Sequence, residues 1–504
     1  FIGLRQALRR YMYAVLYNSP ALREAYPGQV KLLAQRLESY QRTAAAEDRA
    51  EIGRLVGWLD QAGQAESVVR AVRRRFAYPN AWLQVSQPFL SSGLRDDVRR
   101  VAPVRETILG TAIRGQALTT GTLSATLLSD DERGAFRLNL VGTALSDNVG
   151  FNRGVRIYSN GRTRIRAGKV LYVEGDQLLD DGGLFSVPAT ADCDTETQLR
   201  GVAANCGLVE RIAWKQAQRQ RAAAERIASR KAERRVAQQV DDQAGEFLAD
   251  SRQRFRNRVR GPLRRRDALP RRFQLRTSAK DLLVRVLQTN VAQLAAPSLP
   301  PSLEGGSDLS LRLHETAVGN FAESTLGART VTDEELRRLL KENNRPVPEA
   351  LSEKGDPWSI TFSAEQPINA EFRETGIRVA LRGRRFTRAR SAISDEAEIF
   401  AVYKIRRGGP GESVLERQGD VEVNFIGQES LSLQQVAFKS FLQSKFRDLF
   451  AAEVPLDYLE LTGRWEQVGK LALGQAQSAN GWLTVAWRLA KTQQSEPARE
   501  ARRD

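Results

Sequence analysis

Chemistry in this 504-residue chain would have to start from very few residues. There is one histidine, His314, followed by Glu315 at the end of the alternation Leu309, Leu311, Leu313. A single imidazole excludes a multi-histidine metal site and leaves room for one histidine-dependent centre. Its place at the end of an expected strand points to a hydrogen-bonded structural histidine. Acidic groups stand together at Asp130-Asp131-Glu132, Asp180-Asp181 and Asp241-Asp242. The first two adjoin glycines, where aspartates ordinarily cap turns. Carboxylates converging in a cleft would make a hydrolase, but pairing in space is invisible in linear spacing. No GxSxG, HExxH, Walker A or Rossmann glycine motif occurs in a suitable context. The turn Gly408-Gly409-Pro410-Gly411 is not a phosphate loop, because no GxxxxGK[ST] follows. The residues therefore read as non-enzymatic, with no catalytic group, metal or cofactor. A carboxylate-dependent hydrolase is the remote alternative.

The two cysteines, Cys193 and Cys206, are close together in an otherwise cysteine-free chain. A disulfide between them would contribute on the order of 3 kcal/mol. It would also imply an oxidising, extracytoplasmic location, periplasmic or secreted. The first residue is Phe1 and not Met, which reads as a trimmed or processed start.

Charge is concentrated in one stretch. The formal net charge is +17, and residues 208–266 carry +10 of it. With Gly245 as the only glycine between Leu208 and Gly261, and no proline, this stretch reads as one long helix that Gly261-Pro262 terminates. Val209, Ile212, Ala213, Ala217, Ala224, Ala228, Ala232, Val236, Val240, Ala244, Phe247, Phe255 and Val259 form its thin apolar stripe. The candidate polyanion-binding residues are Arg219, Arg226, Arg230, Arg234, Arg235, Arg252, Arg256 and Arg260. Candidate partners are an anionic polymer such as nucleic acid, or a membrane surface. Only Trp214, Phe247 and Phe255 interleave with the arginines, which is sparse for single-strand binding. The alanine face also admits self-association into a homo-oligomer.

The surrounding elements are less regular. Residues 1–78 read as about four short helices, starting with Phe1 to Leu16. In 79–206 glycines recur about every ten residues, and Asn160-Gly161 reads as a hairpin turn between short strands of a meander, sandwich or barrel. After the long helix (207–272), Leu282, Leu283, Val286, Leu287, Val291 and Leu294 suggest a helix. Thr332-Asp333-Glu334-Glu335 has the form of a capping box. Strands are expected at Trp358–Phe362, Ile377–Leu381, Ile399–Ile405 and Val421–Phe425, and a buried helix over Val436–Phe450. A region 431–490 adds that helix and terminal strands around the turn Asn480-Gly481, and 491–504 reads as a disordered tail. The expected class is α+β: an N-terminal helical segment and two antiparallel β-rich regions, 79–206 and 273–430, linked by one long basic helix. No apolar run is long enough to be a transmembrane helix.

Residues 280–430 resemble the tubular lipid-binding (TULIP) proteins in order of elements. The resemblance rests on the strand and following segment Leu309–Phe321, a short helix from Asp333, and Pro367–Phe372 ahead of long alternating strands. In that family a long curved sheet wraps a helix and holds lipid in an apolar tube. The resemblance implies a binding or scaffold protein of the cell envelope that holds an apolar, lipid-like ligand.

Overall fold

The computed structural model describes residues 7–8, 11–12, 15, 20–342, 346–351, 356–408, 413–428, 430–459, 461 and 463–490. The expected Phe1–Leu16 helix, the 408–411 turn and the 491–504 tail lie largely or wholly outside these residues. The chain forms two compact units. One comprises 1–84, 262–273 and 285–504; the other comprises 85–261 and 274–284.

The first unit begins with helices α1 (Pro20–Thr43), α2 (Ala46–Gln61) and α3 (Glu66–Arg75). Their apolar faces meet in a core of Leu33, Ile52, Leu55, Leu59, Val69 and Phe76. Strand β1 (Ala81–Ser86) follows, and helix α4 (Gln87–Gly93) after it belongs to the second unit.

The second unit is built on strands far longer than ten residues: β2 (Asp96–Ile108), β3 (Thr111–Leu128), β4 (Gly134–Asn152) and β5 (Val155–Val173). A short helix α5 (Gly175–Leu179) and strands β6 (Leu184–Ser186) and β7 (Thr190–Ala203) complete the sheet, in which β7 pairs with β5. Most of the glycines expected in turns lie inside these strands. Asn160-Gly161, expected as a hairpin turn, sits mid-strand in β5 opposite Asp147 and Ser146. The turns fall instead at Leu109-Gly110 and Arg153-Gly154, where both residues have positive φ, as a two-residue hairpin requires.

Helix α6 (Gly207–Phe255) is the long basic helix. Pro262 does not end the spiral as expected. A π turn at Arg256–Arg260 leads into a last helical turn, α7 (Gly261–Arg265). The ring of Pro262 offers no N–H and would crowd the carbonyl four residues back, and the wider π turn accommodates both constraints.

The chain then adds β8 (Arg272–Thr277) and β9 (Asp281–Leu287). The helix expected from Leu282 is therefore a strand up to Leu287. Its apolar residues satisfy either period, and pairing with β1 and β8 decides the outcome. Strand β10 (Leu309–His314) and helix α8 (Glu315–Leu326) come next, then β11 (Thr330–Thr332) and α9 (Asp333–Glu342). The N–H of Glu335 donates to Thr332 Oγ1 at 3.1 Å, the first half of the expected capping box. Strands β12 (Trp358–Phe362), β13 (Ile368–Arg373), β14 (Gly376–Arg388), β15 (Ser391–Ile393), β16 (Ala397–Arg406) and β17 (Val414–Phe425) form an antiparallel sheet with β11 and β18 (Glu453–Pro455). Helix α10 (Leu433–Leu449) packs on it and starts with a capping box between Ser432 and Gln435. Finally β19 (Tyr458–Leu459), β20 (Leu471–Ala479) and β21 (Trp482–Leu489) join β10. The expected Asn480-Gly481 turn links the last two, with φ of 51° and 78°. The protein is thus α+β, with N-terminal helices, antiparallel sheets and one long helix.

Candidate functional site

His314 is a structural residue. Only 1 % of it is exposed, and its Nδ1 caps α8 by accepting from the Thr316 N–H at 3.2 Å. Burial, with help from the Arg49 charge, pushes its pKa down to about 3, so it is neutral. Glu315 is equally buried and its oxygens are consumed by Arg49, Arg373 and the Phe372 N–H. Burial alone would raise its pKa; the two guanidiniums hold it below the usual carboxylate range. The acidic pairs are scattered. Asp130 caps its own loop and binds Arg133 at 2.8 Å, and Asp181 binds Arg256 at 2.9 Å. Asp241 pairs with Lys169. Among the described residues no three histidine, cysteine or acidic side chains gather as a metal site would need.

The expected Cys193–Cys206 disulfide does not form: both thiols are free. Cys193 is buried mid-strand in β7, whereas Cys206 is exposed just before α6. Ten residues of extended strand separate Cys193 from Ala203, about 33 Å, far beyond the reach of a bridge. The argument for an oxidising compartment falls with it.

The distinctive geometry lies in the second unit, where α6 covers the free edge of β7. Five backbone N–H groups of β7 and its flanks donate to α6 side chains. Thr197 donates to Glu225 at 2.6 Å, Thr195 to Ser229 at 3.0 Å and Cys193 to Glu233 at 3.5 Å. Ala189 donates to Asp241 at 2.8 Å and Ala204 to Glu210 at 3.0 Å. The spacing is matched arithmetic: four helical residues advance about 6 Å and two strand residues about 6.7 Å. The unpaired strand edge is thereby satisfied from Cys193 to Thr197 and again at its two flanks. The alanines of the face considered for self-association, Ala213, Ala217, Ala224, Ala228 and Ala232, are partly buried. Val209, Ile212, Phe247 and Val259, expected in the apolar stripe, are exposed, while Ala244 and Leu248 are buried.

Helix α6 also reaches the opposite edge of the sheet. Glu106 of β2 pairs with Lys231 at 2.9 Å and with Arg235, and Lys231 donates to the Thr107 carbonyl. In a flat sheet β2 and β7 would stand about 19 Å apart. One helix can meet both only because the sheet curls. Glycines permit the curl: a Cβ on Gly121 would lie 2.7 Å from the Val141 carbonyl, and one on the facing Gly142 would lie 2.6 Å from the Thr120 carbonyl.

Glu106 and Lys169 both reach α6, so they identify the inner face. By register this face carries Ile113, Ala117, Thr119, Leu123 and Ala125 from β3, and Phe136, Leu138, Leu140 and Ala144 from β4. Strand β5 adds Ile157, Thr163, Ile165, Ala167 and Leu171. Across β3, β4 and β5 the inner face holds a single charge, Lys169, and Asp241 neutralises it. The hydrogen bond from Lys169, with that from the Ala189 N–H, keeps Asp241 below the ordinary carboxylate range. The outer face of the same strands carries Arg114, Arg137, Asp147, Arg156, Arg162, Arg164 and Arg166.

One end of this trough is closed. Ala125, Leu127, Leu171, Ala244, Leu248, Phe89 and Leu90 are buried there. Gln87 and Ser91 of α4 bind the free backbone of Ala125 and Leu127. Further along, Val104, Ile113, Ala117, Leu123, Leu138, Leu140 and Ala144 stay only partly buried although they face the helix side. The first unit offers the contrast. Its α10 fills the sheet beneath it with Phe438, Leu442 and Phe446 against Trp358, Ile360, Phe386 and Ile399, all nearly fully buried.

No protein-family model matches the chain. No curated protein matches it either. Among solved structures it is similar to a lipopolysaccharide binding protein, with a TM-score of 0.29 and 11 % identity, covering 82 % of this chain and 99 % of that one. It is also similar to P47 from Clostridium botulinum A2, with a TM-score of 0.21 and 8 % identity, over 82 % and 98 %. Overlaps this low carry no argument.

The candidate polyanion-binding arginines divide into two groups. Arg235 is tied to Glu106, Arg252 to the Leu184 carbonyl, Arg256 to Asp181 and Arg260 to the Leu179 carbonyl. Arg219, Arg226, Arg230 and Arg234 are exposed on the side of α6 away from β7. The sequence missed the edge-capping ladder, although Glu225, Ser229 and Glu233 recur at the four-residue interval that would have signalled it.

Proposed function

We propose that the second unit binds an elongated apolar ligand of lipid-like chemistry in the trough between α6 and strands β3 and β4, as a non-enzymatic carrier. One observation carries this reading. The inner face is apolar or small apart from Asn148 and the neutralised Lys169, and its middle stays partly exposed while α6 spans both sheet edges. Burying such a face gains roughly 25 cal/mol per Å2, and the protein's own side chains leave part of that gain to a ligand. Small side chains such as Ala117, Thr119 and Ala144 leave width, and aliphatic ones such as Ile113, Leu138 and Leu140 supply contact. A ligand of this class exchanges at membranes, which fits the cell envelope as the place of action.

The test is organic extraction and mass spectrometry of the purified full chain, together with uptake of a fluorescent long-chain fatty acid. Extractable lipid, and uptake that Ala117→Trp and Ala144→Trp abolish, support the reading. Protein that yields no lipid and takes up no probe overturns it. So does uptake that the two tryptophans leave unchanged.

A further inference from the structure

On α6, the two acids between Arg211 and Val240, Glu225 and Glu233, both turn inward to cap β7. Of their cationic neighbours, Arg221 pairs with Glu225 at 3.1 Å, and Lys231 and Arg235 pair with Glu106. Arg211, Lys215, Arg219, Arg226, Arg230 and Arg234 are all exposed and follow one another at intervals of four and seven. That spacing keeps them on one side of the helix over about 35 Å. Where this stripe begins, two apolar side chains project on the same side: Leu208 is 61 % exposed and Ile212 is 62 % exposed.

We propose that this side of α6 is a docking surface for an anionic lipid bilayer. The cations meet the charged head groups, and Leu208 and Ile212 enter the interface at one end. Charge complementarity alone would admit any polyanion. The apolar tip favours a bilayer, because large aliphatic side chains beside cations gain from an acyl boundary and gain nothing from a phosphate backbone. Base-stacking aromatics are absent from the exposed stripe, which a single-strand nucleic-acid surface would need. Each cation near an anionic membrane contributes about fivefold in partitioning, so the stripe acts collectively. The surface stands on observations separate from the trough.

Sedimentation of the full chain with vesicles tests it, comparing pure phosphatidylcholine with a mixture containing phosphatidylglycerol, at low and high salt. A polarity-sensitive dye on the exposed thiol of Cys206, at the start of α6, reports insertion of the tip. The expected result is binding to the anionic vesicles only, weakened by salt, with a blue shift of the dye. The triple variant Arg219→Glu, Arg226→Glu and Arg230→Glu should lose binding at least about 100-fold. The milder set with Gln at the same positions should lose less. Thermal melting of each variant separates lost binding from lost fold. Binding that ignores lipid charge, no binding, or binding to duplex DNA without any vesicle-induced blue shift overturns the proposal. Ala144→Trp, which closes the trough, should leave vesicle binding unchanged, so failure of the trough reading and failure of the docking surface are distinguishable.

Discussion

Thr195 and Ser229 lie 34 residues apart in sequence, and the backbone N–H of the first donates to the hydroxyl of the second at 3.0 Å. This rung stands between those at Thr197–Glu225 and Cys193–Glu233. A strand edge and a helix are thereby held in register by side-chain acceptors. The long basic helix is a wall of the second unit: Glu225, Ser229 and Glu233 face β7, whereas Arg219, Arg226, Arg230 and Arg234 are exposed.

Removing a rung should expose the edge of β7. Ser229→Ala leaves one amide without its partner and should cost about 1–2 kcal/mol in urea unfolding. Hydrogen exchange at the Thr195 amide should accelerate more than at amides of β3. Unchanged exchange at Thr195 would mean that the edge does not depend on α6.

The curl of the sheet should depend on the Gly121–Gly142 pair. A Cβ at either position meets backbone closer than 3 Å. Gly142→Val should destabilise by at least about 2 kcal/mol, as overpacking against rigid backbone does. The same change at Gly245, inside α6 with nothing within 4 Å of its position, should cost nothing and gain roughly a few tenths of a kcal/mol, because valine is the better helix former. Equal effects at the two sites would contradict the curl.

Acid should weaken the first unit in a defined window. His314 has its pKa lowered to about 3 from an ordinary 6.5, so the unfolded chain takes up a proton that the folded chain refuses. Stability from this group is full above pH 6.5 and declines as pH falls toward 3, by about 1.4 kcal/mol per pH unit at most. Glu315, also lowered, adds a loss as pH falls below its unfolded value. Unfolding free energies of wild type and His314→Asn across pH 3.5–7 should differ in slope, the variant being flatter. Parallel curves would place His314 in a solvated setting.

The two thiols should react unequally. Burial, then the nearby Glu233 and Asp192 charges, push the Cys193 thiol up to about 11, whereas Cys206 is exposed. Native protein at neutral pH should take one maleimide, and denatured protein two, by intact mass. No adduct on native protein without reductant, appearing only with it, would restore the bridge.

Local physics made much of the fold legible. The α6 helix follows from alanine and arginine without proline, the Asn480-Gly481 turn from its positive φ, and β12 and β16 from their period-two pattern. The histidine's structural role followed from its strand-end position. Other features were settled only by contacts distant in sequence. Asn160-Gly161 carries the composition of a turn, yet Asp147 and Ser146 pair with it and make it strand. Leu282–Leu287 fits either period until β1 and β8 flank it. Cys193 and Cys206 are near in sequence and far in space because the intervening chain is extended. The sequence by itself determined the helix and the placement of charge along it. Tertiary structure decided which side of that helix faces a strand edge, because hydrogen-bonding demand comes from unpaired amides of β7, whose neighbours no linear pattern specifies.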